Sequence, residues 1–162
     1  MQNLKIKTFI ALCLMAPASW ASDSDRTAKI IIKGGPDCKT KMKENTTECV
    51  AGLTIEQGSL LIKSTYGLIN YKDKGLNSVL MRGNQVYMEQ MMEGGDKMVI
   101  KADEIDYQKA VDKVFLSGNV SITSSIGVTT GEKLEFNLKT QEIISTGESK
   151  QPFRMEIDQK DD

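Results

Sequence analysis

The sequence predicts an all-β protein, and three observations carry that prediction. Apolar and polar residues alternate over short runs, no amphipathic helical period follows the N-terminal segment, and related runs recur at fixed spacing. The alternation is plainest at Val114, Leu116, Gly118, Val120 and Ile122, which a period of two places on one face of a strand. A second run, Val128, Thr130, Leu134, Phe136 and Leu138, is expected to face inward, with Thr129, Lys133, Glu135, Asn137 and Lys139 turned mostly outward. The recurrence is equally direct. Ala102-Asp103-Glu104-Ile105-Asp106-Tyr107 returns twenty-nine residues later as Gly131-Glu132-Lys133-Leu134-Glu135-Phe136, and the same offset carries Val114 onto Ile143 and Gly118 onto Gly147. A looser copy, Ile69-Asn70-Tyr71 followed by Val79-Leu80-Met81-Arg82-Gly83, precedes both. An offset of sixty-six matches Gly52, Leu60, Ile62 and Leu68 with Gly118, Ile126, Val128 and Leu134. Each copy reads as a strand ending in an aromatic, a turn, and a return strand closing on glycine; the turns fall at Lys72-Asp73-Lys74-Gly75, Gln108-Lys109-Ala110-Val111-Asp112 and Lys139-Thr140-Gln141. Such a hairpin cannot bury its apolar face alone, so the copies must stack.

In chain order, residues 1–21 read as a secretory signal peptide: Lys5 and Lys7 precede an apolar stretch over residues 8–16, and Ser19-Trp20-Ala21 supplies a small-residue cleavage site. That stretch is shorter than the ~18 apolar residues needed to span a bilayer. Residues 22–162 then form a single domain, with its core over about residues 28–157. A first strand is expected at Lys29-Ile30-Ile31-Ile32-Lys33. Cys38 and Cys49 follow, eleven positions apart in a chain bound for an oxidising compartment, and are expected to bond to each other; free thiols or a redox couple are the alternative. A bridge closing so short a loop contributes about 2 to 3 kcal/mol on the chain-entropy account. Lys39, Lys41 and Lys43 lie between the cysteines, as a basic elaboration of the first hairpin. Residues 84–97 read as one loop around Met91-Met92-Glu93-Gly94-Gly95-Asp96. A last strand is expected at Phe153, Met155 and Ile157, followed by a charged, frayed end.

Composition removes several functions. The net charge is −1 and the two signs are interspersed, so no footprint for nucleic acid is expected. Histidine is absent, which removes the usual general base and the commonest metal ligand together. Asp103, Glu104 and Asp106 form the tightest carboxylate cluster, yet adjacent residues of a strand point to opposite faces, and without histidine or a nearby cysteine the trio reads as a solvated strand end. No enzymatic activity, metal or cofactor is expected. No nucleotide-binding glycine loop occurs either, so any directional work must draw its energy from a partner.

Two segments carry a resemblance to a known family. Gln57-Gly58-Ser59-Leu60-Leu61-Ile62-Lys63-Ser64, and Ile100-Lys101-Ala102-Asp103-Glu104-Ile105-Asp106-Tyr107 with Val114-Phe115-Leu116-Ser117-Gly118-Asn119-Val120 after it, resemble the repeated signature of OstA-like lipopolysaccharide-export domains over roughly residues 28–150. The sequence departs from that signature at Gly52-Leu53-Thr54-Ile55, one residue short, and at Ser64-Thr65, where Ala-Asp is usual. The resemblance implies an open β-jellyroll of two facing antiparallel sheets with a V-shaped groove, working in the periplasm to shield the acyl chains of lipid A. It implies lipopolysaccharide as ligand, LptC-like inner-membrane and LptD-like outer-membrane partners, and head-to-tail homo-oligomers formed by strand addition at the first and last strands. Groove-lining residues are then expected at Ile30, Ile32, Ile62, Met88, Ile100, Ile105, Tyr107, Leu116, Val120, Leu134 and Phe136. Two other readings stay open: an LptC-like subunit that keeps its N-terminal segment as an anchor, and a filled β-sandwich that binds partners but no lipid. Alternation alone does not separate a packed core from a lipid groove.

Overall fold

The computed structural model describes residues 25, 27–92, 94–146 and 152–157; the expected signal peptide, Gly147 and the charged end at residues 158–162 lie outside them. Twelve strands follow one another: β1 (Ile31–Gly34), β2 (Cys38–Lys41), β3 (Thr46–Cys49), β4 (Leu53–Gln57), β5 (Leu60–Ser64), β6 (Tyr66–Lys72), β7 (Gly75–Met91), β8 (Lys97–Gln108), β9 (Lys113–Ser124), β10 (Gly127–Asn137), β11 (Ile143–Ser145) and β12 (Arg154–Ile157). All pairings are antiparallel and join into one open sheet. The disulfide forms between Cys38 and Cys49, which face each other across β2 and β3 with Cα atoms 4.1 Å apart.

That sheet is folded along a crease. The four longest strands each lose register at one place: β7 between Arg82 and Val86, β8 between Lys101 and Glu104, β9 between Ser117 and Val120, and β10 between Gly131 and Lys133. The breaks lie side by side, so every long strand crosses from one layer into the other, as bulged strands bend. Layer A contains β1, β4, β5, residues 86–91, 97–102, 120–124 and 127–131, and β12. Layer B contains β2, β3, β6, residues 75–82, 104–108, 113–117 and 133–137, and β11. The crease continues to the N-terminal side, where Gly35 N–H donates to Gly52 O (2.9 Å) and Gly52 N–H to Thr65 O (2.8 Å). The two facing sheets expected from the sequence are thus the two halves of one sheet. Their inner faces meet in a single core that runs from Leu53, Ile55 and Ile62 in layer A to Ile69, Met81 and Phe136 in layer B.

The repeat now has a structural meaning. Gly52, Gly83 and Gly118, and the Ala102-Asp103 and Gly131-Glu132 pairs, all fall on the crease. At Gly118, φ is +75° and a Cβ would stand 2.6 Å from Asp103 Oδ2, so the corner excludes side chains on two grounds. Asn119, also left-handed, donates its amide to the same Asp103 oxygen at 2.7 Å.

Three expectations need correction. Residues 84–91 are not loop but the second half of β7, with Val86 and Met88 buried; among the described residues the chain turns at Met92 and residues 94–96. Their alternation was masked by the polar partners Gln85, Tyr87, Glu89 and Gln90, which face outward or edge the layer. Val128 and Thr130 do not share a face with Leu134 and Phe136: in the first half of β10 it is Gly127, Thr129 and Gly131 that are buried, and the irregularity at Glu132 shifts the phase before Leu134. The first strand starts at Ile31 rather than Lys29.

Candidate functional site

The candidate site is the space between the layers. Ile62, Met88, Ile100 and Val120 project from layer A, and Ile105, Tyr107, Leu116, Leu134 and Phe136 from layer B, each at most 2 % exposed. Ile30 and Ile32 flank the same core at the β1 edge, half-buried. All eleven residues expected to line a groove therefore converge on one interior, which is packed at its middle. Ile55, Ile69, Val79, Met81, Val86, Met98, Val114 and Ile122, outside the lining expected from the sequence, are as deeply buried as the residues in it. The alternation that places Val114 and Ile122 on the face of Leu116 and Val120 is the signal that marks them.

The side opposite the crease is a seam with no strand pairing across it among the described residues. At its middle, Gln57, Leu60 and Gln90 of layer A approach Tyr107 and Leu138 of layer B. Gln57 Nε2 donates to Ala28 O at 3.2 Å, and Asp25 accepts from the backbone and side chain of Ser59, fastening the β4–β5 turn. Towards the C-terminal end the seam opens into a cavity of about 220 Å³ between the layers, where Met98, Ile122 and Ile126 face Phe136 and Ile143. At the N-terminal end a cleft of about 340 Å³ lies beside the β2–β3 and β6–β7 turns, lined by Thr40, Thr47, Tyr71, Met42, Lys41 and Lys74.

Among the described residues, both ends of the sheet are unpaired on one side. β1 and β2 form the N-terminal edges of the two layers, β12 and β11 the C-terminal ones. In β12, Met155 and Ile157 pair with Thr129 and Gly127, whose inward face they share, yet they are 43 % and 62 % exposed, and Phe153 beside them is 46 % exposed. The apolar interior thus reaches solvent at that end.

The outer faces carry ion pairs. Glu89 accepts from the Tyr87 hydroxyl and from Lys97 Nζ (2.9 Å); the tyrosine hydrogen bond foremost, then the lysine, holds its carboxyl below the ordinary range. The same contacts raise the Tyr87 and Lys97 values. The Asp103, Glu104 and Asp106 trio is dispersed into separate tasks: Asp103 holds the crease through Asn119, Glu104 pairs with Arg82 Nε at 2.6 Å, and Asp106 accepts from Gln108 Nε2 at 2.9 Å. These are structural contacts of three separate side chains.

Comparisons with known proteins follow the same lines. Residues 37–142 match the family described as "LptA/(LptD N-terminal domain) LPS transport protein". Among solved structures, the chain is similar to LptH, described as the LptA-homologous periplasmic component of the lipopolysaccharide transport device of Pseudomonas aeruginosa, with a TM-score of 0.75 and 17% sequence identity over 84% of this chain and 99% of that one. At that identity the likeness is one of fold. Comparison with curated proteins finds no match.

Proposed function

The chain belongs to the LptA/LptD N-terminal domain family of LPS transport proteins, and from that premise we propose that it carries lipopolysaccharide across the periplasm with the acyl chains of lipid A sheltered between layers A and B. The observation that carries this reading is the asymmetry of the sandwich: its layers are joined covalently and by strand ladders along the crease, whereas among the described residues no strand ladder joins them along the seam. Parting the seam converts a packed core into a groove without breaking a strand ladder. Each CH₂ exposed to water costs about 0.8 kcal/mol, so a ligand with several long chains replaces the contacts that the opened core gives up. Met88 and Met98, whose flexible thioethers adapt to an irregular apolar partner, suit that exchange. The eleven residues named above are the proposed lining, with Tyr107 and Leu116 central.

The edges supply the proposed partnerships. β1 and β12 are free to add strands, which supports head-to-tail assembly and docking to LptC-like and LptD-like domains at the two membranes. The exposed Phe153, Met155 and Ile157 would then continue the apolar path into the neighbouring copy.

The test is photo-crosslinking to lipopolysaccharide. A photoreactive phenylalanine at Tyr107 conserves shape, and one at Leu116 probes the same interior; Phe115 and Lys101 on the outer faces are the controls. Crosslinks are expected from the first pair alone. Equal labelling from all four, or none from Tyr107 and Leu116 while the protein is folded, overturns the carrier and leaves a filled sandwich that binds partners only.

A further inference from the structure

A layer that shelters only hydrocarbon should be apolar on its inner face from edge to edge, and layer B is not. Register places Cys38 opposite Cys49, and Thr40 opposite Thr47, so both threonines share the inward face of the buried Cys49. Tyr71, whose ring packs against the core, joins them: its hydroxyl donates to Thr47 Oγ1 at 3.1 Å, and the Thr47 and Thr40 hydroxyls lie 3.0 Å apart. Three hydroxyl protons serve two links, so one O–H of this chain is left to face outward. What it faces is the 340 Å³ cleft, walled by Met42 and rimmed by Lys41 and Lys74. Lys41 is engaged by Glu44 at 3.0 Å. Lys74, held in the left-handed turn between β6 and β7, has no carboxylate partner among the described residues.

The two neighbouring turns and their flanks carry Lys39, Lys41, Lys43, Lys72 and Lys74 against Glu44, Glu48 and Asp73, on a chain whose net charge is −1. The local excess of positive charge is therefore set against a neutral-to-acidic remainder. An anion is favoured there, and the open cleft leaves it partly hydrated, which spares it the large cost of full burial. Phosphate fits better than a carboxylate, because its oxygens accept from a hydroxyl and an ammonium at once and still keep water.

We propose that this cleft binds a phosphate group on the headgroup of an acylated, phosphorylated glycolipid, with the leftover hydroxyl proton and Lys74 Nζ as donors, while the acyl chains of the same molecule lie between the layers. The inference rests on the carrier reading above and adds to it where the polar end of the ligand sits. An amphiphile placed this way has its head beside the β2–β3 and β6–β7 turns and its tails along the core towards Ile69 and Met81.

The test uses the mature full-length chain, titrated with diphosphorylated lipid A and with the same lipid A after removal of its phosphates. Wild-type protein is expected to prefer the phosphorylated form by about tenfold, equivalent to roughly 1.4 kcal/mol. Lys74→Gln combined with Thr47→Val, both substitutions of near-equal shape, is expected to bring that ratio close to one while leaving the affinity for the dephosphorylated lipid within about twofold. Lys101→Gln, on the outer face of layer A, should keep the preference. Inorganic phosphate should move the amide resonances of Thr40, Thr47 and Lys74 in wild-type protein only. Lipid binding with no preference in the wild type overturns the headgroup site and leaves the carrier standing. A preference that survives the double substitution, or vanishes in Lys101→Gln, overturns this location. Binding of inorganic phosphate without any lipid preference reassigns the cleft to free phosphate and overturns the headgroup assignment. Failure of both lipids to bind removes the carrier reading itself.

Discussion

At the scale of single residues, the disulfide and the glycine beneath it act as one unit. A Cβ on Gly34 would stand 2.1 Å from Cys38 Sγ and 2.9 Å from Cys49 Sγ, so the end of β1 is fitted to the bridge. Replacing both cysteines by alanine is expected to lower stability by about 2 to 3 kcal/mol, on the order of 10 °C in melting temperature, measured by calorimetry. Gly34→Ala should destabilise the oxidised protein by about 1 to 3 kcal/mol and much less in the alanine pair, where the obstructing sulfurs are gone; equal losses in both backgrounds would separate the glycine from the bridge. Glu89 gives a pH dependence of fixed sign. Its folded pKa is depressed, so its contribution is present above the ordinary carboxylate range and is lost as pH falls through the lowered folded value. Glu89→Gln should therefore melt slightly below the wild type at neutral pH, with the gap closing in acid. Lys97 runs the other way: its raised value keeps its contribution below the ordinary lysine range and gives it up only in strong alkali. Lys97 is exposed and Glu89 half-buried at the surface, so the effect is small and screened by salt.

At the scale of elements, the crease explains both what the sequence disclosed and what it hid. The recurring glycines and the copies of Ala102-Asp103 were visible as a repeat because every long strand needs the same bend, and only small or locally bonded residues tolerate it. The hairpin turns at residues 72–75 and 139–141 were legible from their own residues, and Asp73, Lys74 and Gln141 do adopt positive φ. What alternation could not disclose was phase across a bulge. One residue at Glu132 moves Thr129 inward and Val128 outward, although valine is the more apolar of the two. Deleting Glu132 restores unbroken alternation along β10, so Leu134 and Phe136 keep the inward face, but the strand loses the irregularity that stands opposite Gly118 and Asn119 of β9, and a lower melting temperature is expected in a thermal melt. A deletion that unfolds like the wild type would mean the irregularity is incidental. The lining residues were legible as buried positions, but whether a buried position meets a neighbour or a ligand depends on how firmly the layers close, which no local pattern records. At the edge, Ile31→Pro removes a backbone donor from β1 and should reduce self-association measured by light scattering, while the monomer stays folded because the substitution lies at the margin of the sheet.

At the scale of the whole molecule, the two long sides of the sandwich differ in what resists opening. Along the crease, parting the layers means breaking the ladders of β7, β8, β9 and β10. Along the seam it means separating side chains around Leu60, Tyr107 and Leu138, and displacing the turns at residues 92–96 and 139–141, of which the first carries Gly94 and Gly95 with no atoms close to where a side chain would start. Interiors are close-packed, so a core of this kind opens as a unit along its weaker side rather than swelling uniformly. Hydrogen exchange with and without lipopolysaccharide reads that difference directly. Amides of residues 80–82, 104–106 and 115–117, paired beside the crease, are expected to keep their protection in both states. Amides of residues 92–96 and 138–142 should change by about tenfold or more when lipid enters, since a change of roughly 1.4 kcal/mol in local opening suffices for that factor. Lipid-induced deprotection centred on the crease would mean that the molecule opens by unzipping its ladders, and the groove would then have to be drawn on the other side of the fold.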